Sequence, residues 1–466
     1  METVYNFLMY LTGWPLAFVL IAGGIYFTLR TGLIQIRLFA ESFRVLKEKP
    51  VQGGVSSFGA LMISTASRVG TGNIIGVSTA ICLGGPGAVF WMWLTAIIGG
   101  ASAFVESTLA QIYKRKAVDG SCYGGPSFYI ESACRSKFLA VIFALALIFT
   151  YGVGYNMLAS YNLQSSFETF SFYKPVYCWI FGAVTAACFL FTILGGAKRL
   201  VRATAFLVPL MGVLYILMAL TAIAINYQTF WDTIKVIMSD AFNFKAIFGG
   251  FSGSVIMYGL KRGLYSNEAG IGSAPNAAAA AEVSHPVKQG LVQMLSVFID
   301  TNILCTATAL MCLIGSVKPE ASLAGAQYVQ KSLYSTFGTF GPCFIAGAMV
   351  LFAFTTLLGN FYYVENCCSY LAGKALSKRT LTIIRICGTI LIALGAGLKM
   401  DIAWGIADIA QCILAFINIP VCVIIGSVVY RALHDYLQQR KAGKDPVYYA
   451  RSCGIKVKTD YWNTDK

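Results

Sequence analysis

Apolar runs long enough to cross a bilayer recur at about residues 14–29, 57–83, 86–113, 138–163, 176–195, 203–226, 246–260, 289–315, 341–366, 382–398 and 403–430. Short polar loops separate them. The pattern predicts an all-α polytopic membrane protein with about eleven transmembrane helices. The seventh run is short, so its helix is expected to continue beyond Lys261. Residues 33–48, LIQIRLFAESFRVLKE, read as an amphipathic helix lying on the inner surface. From about His434 the chain turns polar and basic, which predicts a loosely ordered cytoplasmic tail.

Lysine and arginine alternate between the loops. Of 35 in the chain, 28 fall in one set of loops and the tail, six fall in the opposite set, and Arg68 lies inside a run. Basic loops stay cytoplasmic, which places the N-terminus outside and the C-terminus inside. The net charge of +15 is therefore a topology signal and a contact for lipid headgroups, and a nucleic-acid partner is excluded. Composition agrees: 57% of residues are hydrophobic and 12% charged, against about 25% charged in soluble domains. No secretory signal precedes the first run, since residues 1–13 lack a basic start. The 14 cysteines show no paired metal spacing and read as small core residues. Two histidines, both expected in loops or the tail, make no metal site.

One run is interrupted. Residues 64–80, STASRVGTGNIIGVSTA, place Arg68 and Gly70-Thr71-Gly72-Asn73 at the middle of a span. A helix that breaks near Gly70 and restarts near Asn73 would expose carbonyls on one side and N–H groups on the other. A kinked helix with glycines for close packing also fits. With the first run set aside, two sets of five remain, at 57–226 and 246–430, and they begin on opposite faces. Each opens with glycines: Gly70-Thr71-Gly72 and Gly249-Gly250-Phe251-Ser252-Gly253. Interrupted segments at matching positions of inverted repeats point to a transporter binding site. The expected organisation is a peripheral helix and interfacial segment (1–56), a first repeat (57–226), an inverted repeat (246–430) and a tail (431–466).

Charges within spans are costly and mark function. Arg68, Glu106, Asp300 and Asp408 are candidates, with Arg68 and Asp300 close enough in depth to pair. Thr355-Thr356 could add hydroxyls to an oxygen cage for a hard cation, or bond back to their own helix. The glycine-rich stretch 259–275, GLKRGLYSNEAGIGSAP, reads as a cytoplasmic gate or hinge without a ligand of its own. No nucleophile–base pair, metal spacing or paired carboxylates stand out, so the chain does not read as an enzyme.

The strings SRVGTGNIIGVSTAICLGGPG, GLKRGLYSNEAGIGSAPNAAAA and HPVKQGLVQMLSVFIDT resemble the sodium:alanine/glycine symporter family, the amino acid carrier proteins. The resemblance implies the inverted five-helix-repeat fold of the leucine transporter superfamily, itself a worked case of broken-helix sites. It implies a substrate carboxylate on the N–H groups of Thr71 and Gly72. It implies an ammonium against carbonyls near Gly250, Ser252 and Gly253. One sodium ion would take the carbonyls of Ala66, Val69 and Phe352 and the hydroxyls of Thr355 and Thr356, with Asn73 offered to a second. Two positions depart from the family pattern: Ala159 stands where a glutamine is common, and Asn360 where a tryptophan is common. Together they suggest a pocket for a larger or more polar substrate. The expected activity is sodium-coupled import of alanine, glycine, serine, glutamine or asparagine across the plasma membrane. A proton-coupled carrier of the same fold is the alternative. No cofactor other than the coupling ion is expected.

Overall fold

A computed structural model describes residues 10–51, 54–117, 120–243, 255–374, 376–451, 453–454 and 459–462. It is helical almost throughout. Helix α1 (Trp14–Arg30) leads through α2 (Ile34–Arg37) to α3 (Phe39–Leu46), the amphipathic segment. Then follow α4 (Ser57–Arg68), α5 (Val77–Gly84), α6 (Ala88–Ile112), α7 (Pro126–Ala133), α8 (Lys137–Ile148) and α9 (Tyr155–Ser165). Next come α10 (Tyr177–Ile193), α11 (Gly196–Ile225) and α12 (Phe230–Ala241). The second half holds α13 (Val255–Asn267), α14 (Pro275–Ala278), α15 (Pro286–Val297), α16 (Thr306–Leu313), α17 (Ala326–Phe337), α18 (Phe340–Ala372), α19 (Lys378–Gly395), α20 (Met400–Ile425) and α21 (Ser427–Lys441). A two-residue hairpin, β1 (Arg115–Lys116) with β2 (Cys122–Tyr123), is the one sheet among the described residues. Wide π-turns join α8 to α9 (Phe149–Gly154) and α15 to α16 (Phe298–Cys305), so each pair runs as one rod.

Six of these rods are long and apolar enough to cross a membrane: Ala88–Ile112, Lys137–Ser165, Arg202–Ile225, Pro286–Leu313, Phe340–Ala372 and Met400–Ile425. Shorter apolar helices occupy Trp14–Arg30, Gly72–Gly84 and Tyr177–Ile193. Local chemistry sets the helix starts. Ser56, Ser136 and Ser377 each accept a backbone N–H three residues on, and Pro126 and Pro286 occupy first-turn positions whose N–H would be unpaired anyway.

The layering follows apolar exposure. Helices α10 and α11 turn Trp179, Ile180, Phe191, Phe206 and Leu217 outward, as lipid-facing helices do. Residues 60–81 and 262–283 are instead buried without a gap. Both are interrupted segments, and the rest of the bundle sheathes them. In the first, α4 stops at Arg68 and α5 follows a π-turn at Gly72–Gly76. In the second, α13 stops at Asn267, and the chain runs irregularly to α14. The helix continues beyond Lys261 as expected, so Lys261 and Arg262, counted among the basic loops, lie on α13. The glycines 249–253, expected to carry the second break, lie outside the described residues.

The tail is not loose. Tyr448, Ala450, Cys453 and Trp462 are buried. The Tyr448 N–H donates to the Ser284 carbonyl (2.9 Å), and Lys288 pairs with Asp445 (2.8 Å) and Glu48 (2.7 Å). The Trp462 indole N–H donates to the Gln111 carbonyl (2.8 Å), while the Lys114 ammonium sits 3.7 Å from the Tyr461 ring centre. Aromatic side chains in an otherwise polar tail supply the area that holds it down. His285 sits at the centre, 5.1 Å from the rings of Tyr436 and Tyr448, with Nε2 3.2 Å from Asp435.

Burial holds the His285 pKa below its ordinary value, an effect larger than the opposing pull of Asp435. Freed of the tail, His285 binds a proton more readily, so docking is full above about pH 6.5 and weakens as pH falls below it. Hydrogen exchange of residues 443–454, corrected for intrinsic rate, should be faster at about pH 5.5 than at about pH 7.5. His285→Gln should abolish the difference; an unchanged difference removes His285 as its origin.

Candidate functional site

The first interruption is local in origin. Val69 leaves helical geometry (φ −74°, ψ 91°), although its N–H still donates to the Thr65 carbonyl (2.7 Å). The freed Gly70 N–H is taken by Asn73 Oδ1 (2.8 Å), so the break is capped from within. Gly70 has no space for a side chain: a Cβ would collide with the Thr356 hydroxyl of α18. At Gly72 a Cβ would stand 2.7 Å from the Tyr265 ring. Gly359 lets α18 close onto the end of α4, where a Cβ would lie 2.5 Å from the Ser67 nitrogen.

The second interruption meets the first side by side, in opposite chain sense: Gly72 lies against Tyr265, and Ser67 against Glu268. Glu268, Gly270 and Gly272 take positive φ (+54°, +86°, +81°), a backbone that costs glycine little and glutamate more. Glu106 on α6 compensates, since its carboxylate accepts the N–H groups of Gly270 (3.3 Å) and Gly272 (3.1 Å) and the Asn418 amide (2.7 Å).

Asn73 ties the two interruptions together. Its Nδ2 lies 2.8 Å from Asp300 Oδ1 and 3.1 Å from the Ser266 hydroxyl, and its carbonyl accepts from Thr308 (2.6 Å). Asp300, in the α15–α16 π-turn, also accepts from Ser266 (2.7 Å) and Thr301 (2.8 Å). The Ser67 hydroxyl stands 2.9 Å from Glu268 and 2.6 Å from Asn360 Oδ1, and Asn360 donates to Asn156 (3.0 Å). Asn162 donates to the Thr71 hydroxyl (2.9 Å).

Arg68 is 1% exposed and does not pair with Asp300 as expected. Its Nη1 reaches the Gln293 carbonyl (3.3 Å) and Oε1 (3.2 Å), while Nε and Nη2 have no partner among the described residues. The positive charge acts on Glu106, Glu268 and Asp300 through space. No ion pair within 4 Å joins it to them.

A second polar layer covers Gly72. Arg262 pairs with Asp408 (2.9 Å) and lies 3.9 Å over the Trp404 ring. Trp404 abuts Tyr265 (ring centres 4.9 Å), and Tyr265 abuts Tyr155 (4.8 Å). The Tyr155 hydroxyl donates to Gln411 (2.9 Å), which donates to Asp408 (3.2 Å). Asp408, one of the candidate charges within spans, is sealed in this layer.

The structure thus gathers Ala66, Val69, Gly70, Thr71, Gly72, Asn73, Thr356 and Asn360 around the break. The buried Thr356 hydroxyl has no partner among the described residues and points at Gly70. Phe352 is buried one turn before it on α18, its ring against Tyr215 (5.3 Å). Thr355 turns away: its hydroxyl bonds back to the Leu351 carbonyl (3.0 Å) and faces Met211 of α11 (3.5 Å). Ala159 faces an apolar cluster with Leu357, Phe361 and Ile392. The Asn73 oxygen, offered to a second ion, is spent on Gly70. Gly250, Ser252 and Gly253 lie outside the described residues. Ser67, Tyr265, Ser266, Glu268 and Asn162 are site residues that the sequence reading missed; all but Asn162 lie in quoted motifs.

The sequence profile of the sodium:alanine symporter family matches residues 1–450. The chain belongs to that family. This symporter is 42% identical to amino-acid carrier protein AlsT of Bacillus subtilis (strain 168), over 100% of this chain and 99% of that one. It is 40% identical to the probable sodium/glutamine symporter GlnT of the same organism, over 92% and 89%. A solved structure, MhsT in complex with L-phenylalanine, shares the fold with a TM-score of 0.54 at 14% identity, covering 86% of this chain and 95% of that one. The symporter is a polytopic helical membrane protein and a transporter, not an enzyme.

Removing one member of the Arg262–Asp408 pair strands a buried charge, at about 3–5 kcal/mol. Arg262→Gln should therefore lower the unfolding temperature in detergent, and adding Asp408→Asn should recover most of the loss. No recovery in the double variant would mean that the pair is not the source.

Proposed function

We propose that this carrier imports a small neutral amino acid together with sodium by alternating access, across a plasma membrane that it spans about eleven times. The N-terminus lies outside and the C-terminus inside. One observation carries this reading. Around the paired interruptions lie three buried carboxylates, Glu106, Glu268 and Asp300, against one guanidinium, Arg68. A dry interior does not tolerate uncompensated anions, so this centre recruits cations. A sodium ion and a substrate ammonium are two such cations. The ion is assigned to the Ala66 and Val69 carbonyls and the Thr356 hydroxyl, with the Phe352 carbonyl in reserve. Thr355 supports that helix face without a ligand role. The substrate carboxylate goes to the N–H groups of Thr71 and Gly72. The ammonium is assigned to the 268–274 interruption.

Ala159 packs with Leu357, Phe361 and Ile392, and the Asn360 amide is engaged on both sides, so neither offers a free polar group to a larger side chain. The tight approach of Tyr265 to Gly72 favours alanine, glycine or serine. Glutamine and asparagine stay in the competition panel because a relative is named for glutamine. Protons are the second reading, since a carboxylate such as Glu268 can take one in place of a metal ion. An inward step of 100 mV supplies about 2.3 kcal/mol per sodium, enough for roughly fiftyfold accumulation.

In proteoliposomes, an inward sodium gradient should drive alanine uptake, and a pH step without sodium should not. The reverse result selects proton coupling. Thr356→Ala should raise the sodium concentration for half-maximal uptake about tenfold, the loss of ~1.4 kcal/mol. Thr355→Ala should leave it within about twofold. Equal effects would return Thr355 to the ion site. Gly72→Leu should abolish binding of labelled alanine by the purified carrier; retained binding would place the substrate elsewhere.

A further inference from the structure

A cavity of about 600 Å³ opens where α1 ends against α21, lined by Arg30, Tyr430, Arg431, His434, Asp435 and Cys453 among others. Its charges are unbalanced. Arg30 and Arg431 make no ion pair among the described residues. Arg30 lies 4.8 Å over the Tyr430 ring, and Arg431 spends only Nε, on the Cys453 carbonyl (2.8 Å). Among the described residues that leaves the Nη groups of Arg431 unbonded and the Arg30 guanidinium shared only with Tyr430, so both can turn to a ligand. The one acid in the lining, Asp435, is held by His285 (3.2 Å) and Gln439 (2.8 Å).

The surroundings identify the ligand class. Helix α1 packs directly on α20, with Gly23 admitting Ile419. Just above the cavity the two helices leave Ile25, Leu29, Val423 and Ile424 exposed, and Leu29 and Ile424 are more than 70% exposed. A ligand with a phosphate at the guanidiniums and hydrocarbon along these side chains fits both halves; a soluble anion uses only one. Positive loops place this end of the bundle at the cytoplasmic leaflet, the side where anionic lipids attract basic residues.

We propose that the cavity between α1, α21 and the tail binds the phosphate of an anionic glycerophospholipid of the inner leaflet, with its acyl chains lying along the α1–α20 seam. The proposal rests on the orientation assigned above. Arg30 and Arg431 grip the phosphodiester in bidentate fashion, and His434 and Tyr430 border it. Because Arg431 also holds the Cys453 carbonyl, an occupied site steadies the tail.

The test uses the full-length carrier in detergent, with dioleoylphosphatidylglycerol or dioleoylphosphatidylcholine added, read by native mass spectrometry and thermal unfolding. Retained adducts and a raised unfolding temperature are expected with the anionic lipid alone. Arg30→Gln with Arg431→Gln should weaken the adduct about thirtyfold. The paired lysine versions should keep most of the affinity, which separates charge from misfolding. Lys318→Gln with Lys399→Gln, at the other end of the bundle, should change nothing. Adducts undiminished in the paired glutamine variant overturn the site. Equal stabilisation by inorganic phosphate overturns the lipid and leaves a soluble phosphoryl ligand. These readouts do not involve transport, so they stand apart from the coupling assignment.

Discussion

The amide of Asn73 holds two unwound backbones in one place. Its oxygen takes the N–H that the first interruption sets free. Its nitrogen reaches the second half of the chain through Asp300 and Ser266. In lipid, an interrupted helix is viable only if protein satisfies the released groups. Neither interruption could sit alone at this depth. Side by side they share donors and acceptors, and Glu106 completes the set from α6. The small residues around them follow from this. Gly70, Gly72 and Gly359 are the positions where α18 and α13 come within contact of the broken rod.

Charge is handled in two ways within one interior. Arg262 and Asp408 are matched, in contact and backed by an aromatic face, a self-contained unit. Arg68 is outnumbered and touches none of its carboxylates. A matched pair contributes to shape, whereas an unmatched cluster leaves a demand for positive charge. The two lie one layer apart, joined through Tyr265, whose ring borders Gly72 below and Trp404 above.

Much of this was legible in the chain. Two glycines around a threonine, next to an arginine, inside an apolar run, located the first interruption to within two residues. The interruption after Asn267 was read as a gate or hinge in a loop, for a physical reason. Lys261 and Arg262 looked like a cytoplasmic loop, because the partner that permits burial of Arg262 is 146 residues away. Thr355 and Thr356 are neighbours in sequence but about 100° apart around a helix, so one faces the break and its neighbour does not. The tail looked soluble by composition, yet Tyr448 and Trp462 suffice to anchor it.

That anchorage has a consequence for biogenesis. The segment around Ser284 and Gln111 is covered by residues that follow α21, among them Tyr448 and Trp462. They are synthesised after every helix of the bundle described above. Each of those helices is therefore made before this cover exists, and a nascent carrier sits in the bilayer with that face bare. A chain truncated just after α21 would carry all of these helices and still present an uncovered face to the quality-control machinery of the cell.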